Sequence, residues 1–485
     1  MVRSLLFSSI TFLYYFLPAV LVIYYLAPAK VKNLILFLAS FVFYLWGEPK
    51  YSVLLLFSVT AGYIGGRCIE YQRQKKCVCA ADPADRSGKY KGGHDRLVVG
   101  IFTAMTLGLL VFFKYMDFLA DSVNRILGTH VPMVQIALPV GISFYTFQIM
   151  AYVIDVYRGR IPAEQSLLRL GTYLTMFPQL ISGPITNYAD VRVALGRERT
   201  IKARQLEEGM KLLIIGLAAK VVIADRIGTL WNSIRMIGFD SISTKLAWMG
   251  AFAYSLQLYF DFAGYSMMAR GIGKMLGFEL PVNFRYPYIS KSVTEFWRRW
   301  HITLGRWFRE YVYIPLGGNR KGKARTFFNL FVVWSLTALW HGANYNFLIW
   351  GGILLCCLLV EKLFLLRLLD KSRVIGHLYV LFVVPLSWVA FAVTDLSELG
   401  VYMTRLFPFA GHAAGVINHL DYLKYLNDYA PLFLLGVLFA TPLPETCYRL
   451  IERKWIGRVI LLGIFGLCMY YLAVSANNPF LYFNF

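Results

Sequence analysis

Cysteine is scarce and scattered. Seven residues show no metal-ligand spacing and no disulfide framework. Cys77 and Cys79 stand alone, and Cys356, Cys357 and Cys468 lie in apolar runs, where cysteine serves as a packing residue. The chain has neither G-x-S-x-G nor H-E-x-x-H, which removes the serine elbow and the zincin helix from consideration; no covalent nucleophile and no metal site are expected. Internal repeats, low-complexity tracts and a separate soluble segment are also missing, so a single membrane-embedded domain over 1–485 is expected. No cleavable-signal pattern opens the chain, because the first apolar run is long enough to span and others follow directly. Acidic residues are few as well: 27 Asp and Glu stand against 49 Lys and Arg, a net charge of +22.

Apolar residues are what the chain has in quantity. They make up 58% of it, which excludes an ordinary soluble domain and points to a polytopic membrane protein. Aromatic residues reach 16%, and such rings commonly sit at the two membrane interfaces. The basic residues cluster in loops between apolar runs, so the charge reads as membrane topology and anionic-lipid contact, not nucleic-acid binding.

About twelve apolar stretches approach the ~20 residues a span needs: 5–26, 32–48, 51–67, 97–118, 134–156, 210–231, 246–268, 326–344, 347–365, 377–395, 431–446 and 459–475. The run near 168–186 is broken by Pro178, Gly183 and Pro184 and reads as re-entrant or interfacial, with protein or water around its open backbone. With twelve spans, the basic loops 67–96, 192–211 and 270–325 fall on one face, with Arg367, Lys371, Arg373 and Arg449, Arg453, Lys454, Arg458. The loops 119–133, 232–245 and 396–430 are poor in Lys and Arg. The positive-inside rule makes the basic face cytoplasmic and puts both termini outside. His412 and His419 read as ordinary residues of the long outer loop.

Two other histidines stand in unlike surroundings. His301 belongs to Phe296-Trp-Arg-Arg-Trp-His-Ile-Thr-Leu-Gly-Arg-Trp-Phe-Arg-Glu. Plotted as a helix, Thr294–Ile314 puts Phe296, Trp297, Trp300, Leu304, Trp307, Phe308 and Tyr311 on one arc and Arg298, Arg299, Arg306 and Arg309 on the other. That predicts an amphipathic helix in the membrane interface, with His301 at the edge of its apolar arc. Its arginines suit either lipid headgroups or the phosphates of an anionic cofactor. His341 lies in Ser335-Leu-Thr-Ala-Leu-Trp-His-Gly-Ala-Asn, within an uncharged run 327–344, where Gly342 lets another group approach the backbone closely. An ionisable residue in such a run is a functional-site hypothesis. Desolvation favours the neutral imidazole, a competent base for a hydroxyl or thiol. The competing reading for each is a structural histidine: His301 bonded to a neighbour, His341 bridging two helices.

These segments carry a resemblance. The His301 block, Tyr313-Ile-Pro-Leu-Gly-Gly-Asn-Arg and Leu339-Trp-His-Gly-Ala look like the signature of the membrane-bound O-acyltransferase (MBOAT) family. Leu138-Pro-Val-Gly-Ile-Ser-Phe-Tyr-Thr-Phe-Gln, Val153-Ile-Asp-Val-Tyr-Arg-Gly, Phe177-Pro-Gln-Leu-Ile-Ser-Gly-Pro, Lys220-Val-Val-Ile-Ala-Asp-Arg, Phe260-Asp-Phe-Ala-Gly-Tyr-Ser and the C-terminal Asn478-Pro-Phe-Leu-Tyr-Phe-Asn-Phe resemble its bacterial branch. Within it the chain is most like the membrane subunit of alginate O-acetyltransferases; the teichoic acid D-alanyl transfer proteins are a more distant likeness. Met267 stands where related acetyltransferases often have Asp, so that position is not carried over.

The resemblance implies an all-α fold: a ring of about 11–12 transmembrane helices with re-entrant and interfacial helices and a central funnel, in the bacterial inner membrane. It implies acyl transfer, as acetyl from acetyl-CoA on the cytoplasmic side, to a hydroxyl of an extracytoplasmic polysaccharide. The group passes directly or through an SGNH or lipase-like partner. His341 matches the family's catalytic histidine, and His301 would orient the donor or shape its entrance. Arg298, Arg299, Arg306 and Arg309 are candidates for the CoA phosphates, and Trp340 and Asn344 for the substrate tunnel. No bound cofactor is implied beyond the thioester substrate. The alternatives are D-alanyl transfer from a carrier protein, a transporter, which the broken run near 168–186 would suit, and a scaffold for a partner transferase. The absence of intramembrane carboxylate relays counts against transport.

Overall fold

The computed structural model describes residues 6–79, 93–410, 417–474 and 481, and among them all regular structure is helical. His412, residues 80–92 of the first basic loop and all but Leu481 of the C-terminal block lie outside the described residues. Among the described residues, six helices are long and apolar enough to cross a membrane: Ala29–Gly47, Ser52–Lys75, His94–Leu127, Tyr345–Leu369, Arg373–Ala392 and Trp455–Val474. A seventh is reached if Asp421–Phe439 and Leu443–Arg449, bent by 69° at their junction, form one span.

Of the remaining expected stretches, 246–268 and most of 326–344 lie in the helices Thr244–Met275 and Lys323–His341, and others depart from a single apolar helix for local reasons. The stretch 134–156 begins as irregular chain and coils only over Ile142–Tyr157, after Gly141 at φ 78°. The stretch 210–231 is divided by a π-helical segment, Ala219–Ala224, between the helices Ala203–Ala218 and Asp225–Ile237. The first apolar run yields only Phe12–Leu26. The helix Thr244–Met275 is long, but Lys245, Gln257, Asp261, Arg270 and Lys274 interrupt its apolar surface.

Backbone contacts gather the chain into two compact units, residues 1–210 with 269–281 and residues 211–268 with 282–485. In the first, the run near 168–186 is broken as expected. Leu167–Thr175 is capped by Ser166, whose hydroxyl accepts from Arg169 N at 3.3 Å, and the chain turns at Met176 into Phe177–Leu180. A Cβ on Gly183 would lie 2.6 Å from the Pro178 carbonyl oxygen, so only glycine fits that turn. The opened backbone is buried and satisfied from within: Tyr173 donates to Thr186 O at 2.8 Å, and Gln179 Nε2 to Tyr173 O at 2.6 Å.

The second unit is built on Thr244–Met268, Lys323–His341, Tyr345–Val360 and Arg373–Ala392, with a core rich in aromatic rings. The helices on either side of His341 pack closely because Gly351 faces Ala338; a Cβ there would sit 2.7 Å from that of Ala338. Buried carboxylates are present in this unit. The Lys220 side chain is 2% exposed and lies 2.6 Å from Asp225 and 2.7 Å from Asp261. Asp261 also accepts from Leu481 N at 2.9 Å. Their charge is held by the lysine in a compact triad, not spread as a relay.

Candidate active site

The segment expected to be one amphipathic helix is two. Val293–Arg299 and Ile302–Phe308 are separate helices, followed by a π-helical turn over Arg309–Tyr313. Competition from the preceding loop makes the break: Arg285 N donates to Arg299 O and Ile302 N to Asn283 O, both at 2.9 Å. The chain reverses through His301, at φ 42°, ψ 53°, a left-handed conformation that costs an L-residue roughly 1–2 kcal/mol. The turn takes His301 off the helical surface and into the protein, 2% exposed.

Two side chains fix the first helix. Ser292 accepts from Glu295 N at 3.0 Å. Glu361 reaches in from the end of the Tyr345–Val360 helix and accepts from Val293 N at 2.6 Å, Thr294 N at 2.9 Å and Thr294 Oγ1 at 2.6 Å. A carboxylate on exposed N–H groups at a helix start is favourable both as a cap and against the helix dipole.

His301 is held by Asn283. Its Nδ1 lies 3.0 Å from Asn283 Oδ1, which also accepts from Thr303 Oγ1 at 2.9 Å and Thr303 N at 3.3 Å. The imidazole packs edge-on against Phe262 at 4.7 Å between ring centroids and against Trp340 at 6.1 Å. His301 lies outside the helices that could span the membrane, and burial pushes its pKa down to about 3, so the ring is neutral near pH 7.

His341 is the last residue of the Lys323–His341 helix, and the chain leaves through extended Gly342. Half-buried, the ring lies 5.0 Å from Trp340, 5.0 Å from Trp350 and 5.3 Å from Phe391. Trp340 therefore touches both histidines. Around them gather six of the eleven tryptophans: Trp297, Trp300, Trp334, Trp340, Trp350 and Trp388. In this cluster His301 Nε2, Trp297 Nε1 and Trp350 Nε1 are buried with no hydrogen-bond partner among the described residues. Buried polar groups are nearly always paired, so one lone pair and two N–H donors left open mark a place where a ligand is expected.

The other candidates separate. Trp340, 3% exposed, sits between the histidines. Asn344 begins the Tyr345–Val360 helix without capping it through its side chain, while Asn346, which the sequence reading passed over, donates to Ala390 O at 3.2 Å and Phe391 O at 2.9 Å. Arg299 is occupied by Glu295, at 2.8 Å. Arg298 and Arg309 are exposed, and Arg306 is half-buried. The four arginines are thus not one equivalent row. Asn283, Glu361, Trp350 and Trp388 were missed; the only sequence signal for them is a polar or indole group in an otherwise apolar run.

A multi-pass helical membrane protein with two histidines in a tryptophan-lined interior site is suited to chemistry on a substrate that water must not reach. The chain belongs to the membrane-bound O-acyltransferase family and is an O-acyltransferase: the family model matches residues 160–396. A probable alginate O-acetylase of Pseudomonas putida is 34% identical over 99% of this chain and 100% of that protein. A peptidoglycan O-acetyltransferase of Helicobacter pylori is 30% identical over 99% of the chain and 98% of its own length. A teichoic acid D-alanyltransferase of Bacillus subtilis is 32% identical, over 45% of the chain and 58% of its own.

Proposed function

We propose that this protein transfers an acetyl group from acetyl-CoA, bound from the cytoplasmic side, to a hydroxyl of an extracytoplasmic cell-surface polysaccharide, directly or through a secreted SGNH-type partner. The observation that carries this is the meeting of His301 and His341, from separate segments, on Trp340. The end-to-end likeness to acetyl-transferring relatives favours acetyl over D-alanyl, since the D-alanyltransferase matches under half of the chain.

In this reading His341 is the general base. Its neutral imidazole takes the proton as the hydroxyl oxygen attacks the thioester carbonyl. The new C–O bond forms, the C–S bond breaks, and the proton passes from the imidazolium to the departing thiolate, leaving free thiol and ester. The indole N–H groups of Trp297 and Trp350 are suited to the carbonyl oxygen as it gains charge, because preorganised donors in a dry site act most strongly there. His301 orients the donor. Arg298 and Arg309 are the arginines left open for the CoA phosphates. In this reading the protein lies in the inner membrane with its basic loops in the cytoplasm and both termini outside, an arrangement that the positive-inside rule supports for a twelve-span chain.

The test uses the purified protein in nanodiscs with labelled acetyl-CoA, polysaccharide acceptors and the partner. Wild type should consume thioester and label the acceptor, while His341→Ala should do neither and remain folded. Full transfer by His341→Ala rules out the base assignment. An inert acetyl-CoA with an active D-alanyl carrier protein rules out the donor.

A further inference from the structure

Asn283 is 1% exposed and both ends of its amide are hydrogen-bonded. Oδ1 receives three contacts, from His301 Nδ1 at 3.0 Å, Thr303 Oγ1 at 2.9 Å and Thr303 N at 3.3 Å; Nδ2 donates to Ser266 Oγ at 3.1 Å. The Thr303 contact decides the orientation. A backbone N–H can only donate, so the atom facing it must be the amide oxygen; turning the amide over would set N–H against N–H. The same oxygen can then only accept from His301. Nδ1 must carry the proton, which leaves the lone pair on Nε2, and Nε2 is buried without a hydrogen-bond partner among the described residues.

We infer that Asn283 is a positioning residue for the acyl-transfer reaction, holding His301 in its Nδ1–H tautomer so that the ring meets substrate only as a hydrogen-bond acceptor through Nε2. The group it receives is an O–H, S–H or N–H of one of the two substrates. This rests on the acyl-transfer reading for the reaction, but not for the tautomer. The left-handed turn at His301 and the Ile302 N to Asn283 O bond serve the same end, fixing the ring's backbone against the residue that orients it. The imidazole is bonded to Asn283 and packed on Phe262 and Trp340, none of them charged, so its protonation depends on burial and on the asparagine.

Two measurements test this. The first is nitrogen-15 NMR of histidine-labelled protein in lipid, with the His301→Gln spectrum subtracted to assign the His301 signals. A protonated Nδ1 and a bare Nε2, unchanged down to pH 5, is the expected result. An Nε2–H tautomer overturns the inference whatever the enzyme does. The second is the pH profile of kcat for Asn283→Asp and Asn283→Leu. The aspartate keeps the acceptor but its charge favours imidazolium, so the ascending limb should move up by ~1–3 pH units. The leucine should lower kcat by about tenfold or more, as a misoriented imidazole does, with little change in donor KM. A profile for Asn283→Asp that superimposes on wild type overturns the positioning role. If the spectrum is as expected but the wild type transfers no acyl group from any thioester, the acyl-transfer reading fails and the reaction role falls with it.

Discussion

Gly342→Ala is the sharpest single perturbation next to His341. Gly342 has φ −170° and ψ 159°, an extended conformation that alanine adopts freely, so the effect is steric alone. A Cβ at 342 would lie 2.5 Å from Phe347 Cδ2 and 2.8 Å from Cζ, with Cε2 closer still. Phe347 cannot simply move aside: it is 4% exposed and packs on Phe391, 5.0 Å away, which in turn lies 5.3 Å from His341. Overpacking of this kind costs about 1–3 kcal/mol. The smaller entropy of the unfolded alanine chain returns roughly 0.4–1 kcal/mol. The net is a destabilisation of about 1–2 kcal/mol, with the Phe391 and His341 rings displaced. Unfolding in mixed micelles, followed by near-UV circular dichroism, measures the first part and acyl transfer the second. Phe347→Leu in the same chain should relieve the clash, giving a coupling of about 1 kcal/mol or more in a double-mutant cycle. A neutral or stabilising Gly342→Ala, additive with Phe347→Leu, would refute the close approach.

Four further outcomes are expected. Glu361→Ala strips the acceptor from two backbone N–H groups and a hydroxyl, and should cost about 3–5 kcal/mol as a broken buried charged network, against ~1–2 kcal/mol for Glu361→Gln; equal unfolding free energies for the two variants would contradict the capping role. Lys220→Met leaves Asp225 and Asp261 unneutralised and should cost ~3–5 kcal/mol, largely recovered when both aspartates become asparagine; a loss below ~1 kcal/mol would show that the triad is not held by charge. Arg309→Gln and Arg298→Gln should raise KM for acetyl-CoA several-fold with kcat kept, whereas Arg299→Gln should act mainly through stability, because Glu295 already holds it; the reverse pattern would exchange their roles. Acidification should weaken the fold through His301: with a folded pKa near 3 against ~6.5 unfolded, the unfolded chain binds the extra proton, so stability is complete above pH ~6.5 and falls as pH drops toward 3. A His301→Gln protein that loses as much stability as wild type between pH 7 and 4 would remove that account.

Much of this was legible in the residues, for a definite reason. Mean hydropathy and the loop charges are additive along the chain, so membrane embedding needs no tertiary knowledge. The broken run near 168–186 was equally plain, because Pro178, Gly183 and Pro184 act on their own backbone. Gly342 announced a close approach, and Phe347 supplies it. Counting spans was less secure. An apolar window reports composition, while capping, π segments and competing hydrogen bonds shape the helix locally, as at Ala219–Ala224.

The His301 segment shows where periodicity stops being informative. Its arc of seven apolar side chains is genuine, and Phe296, Trp300, Leu304, Trp307, Phe308 and Tyr311 are all buried. A regular helix through them, however, would have left His301 at the arc's edge and its backbone amides bonded within the helix. Residues 283 and 285 offer those amides and carbonyls a second set of partners, and that long-range pairing wins over the 3.6-residue period. The pattern of hydrophobicity is the same for both outcomes, so nothing in 294–314 alone could separate them. What separates them is Asn283, whose backbone oxygen breaks the helix and whose side-chain oxygen then receives the histidine that the break turns inward. One residue supplies both the fold and the orientation of the ring. For that reason Asn283→Ser, which keeps the backbone bond and shortens the side chain, should leave the two short helices intact while freeing His301 to choose its tautomer. Loss of the helices' amide-exchange protection in Asn283→Ser would show that the side chain, not the backbone oxygen, makes the break.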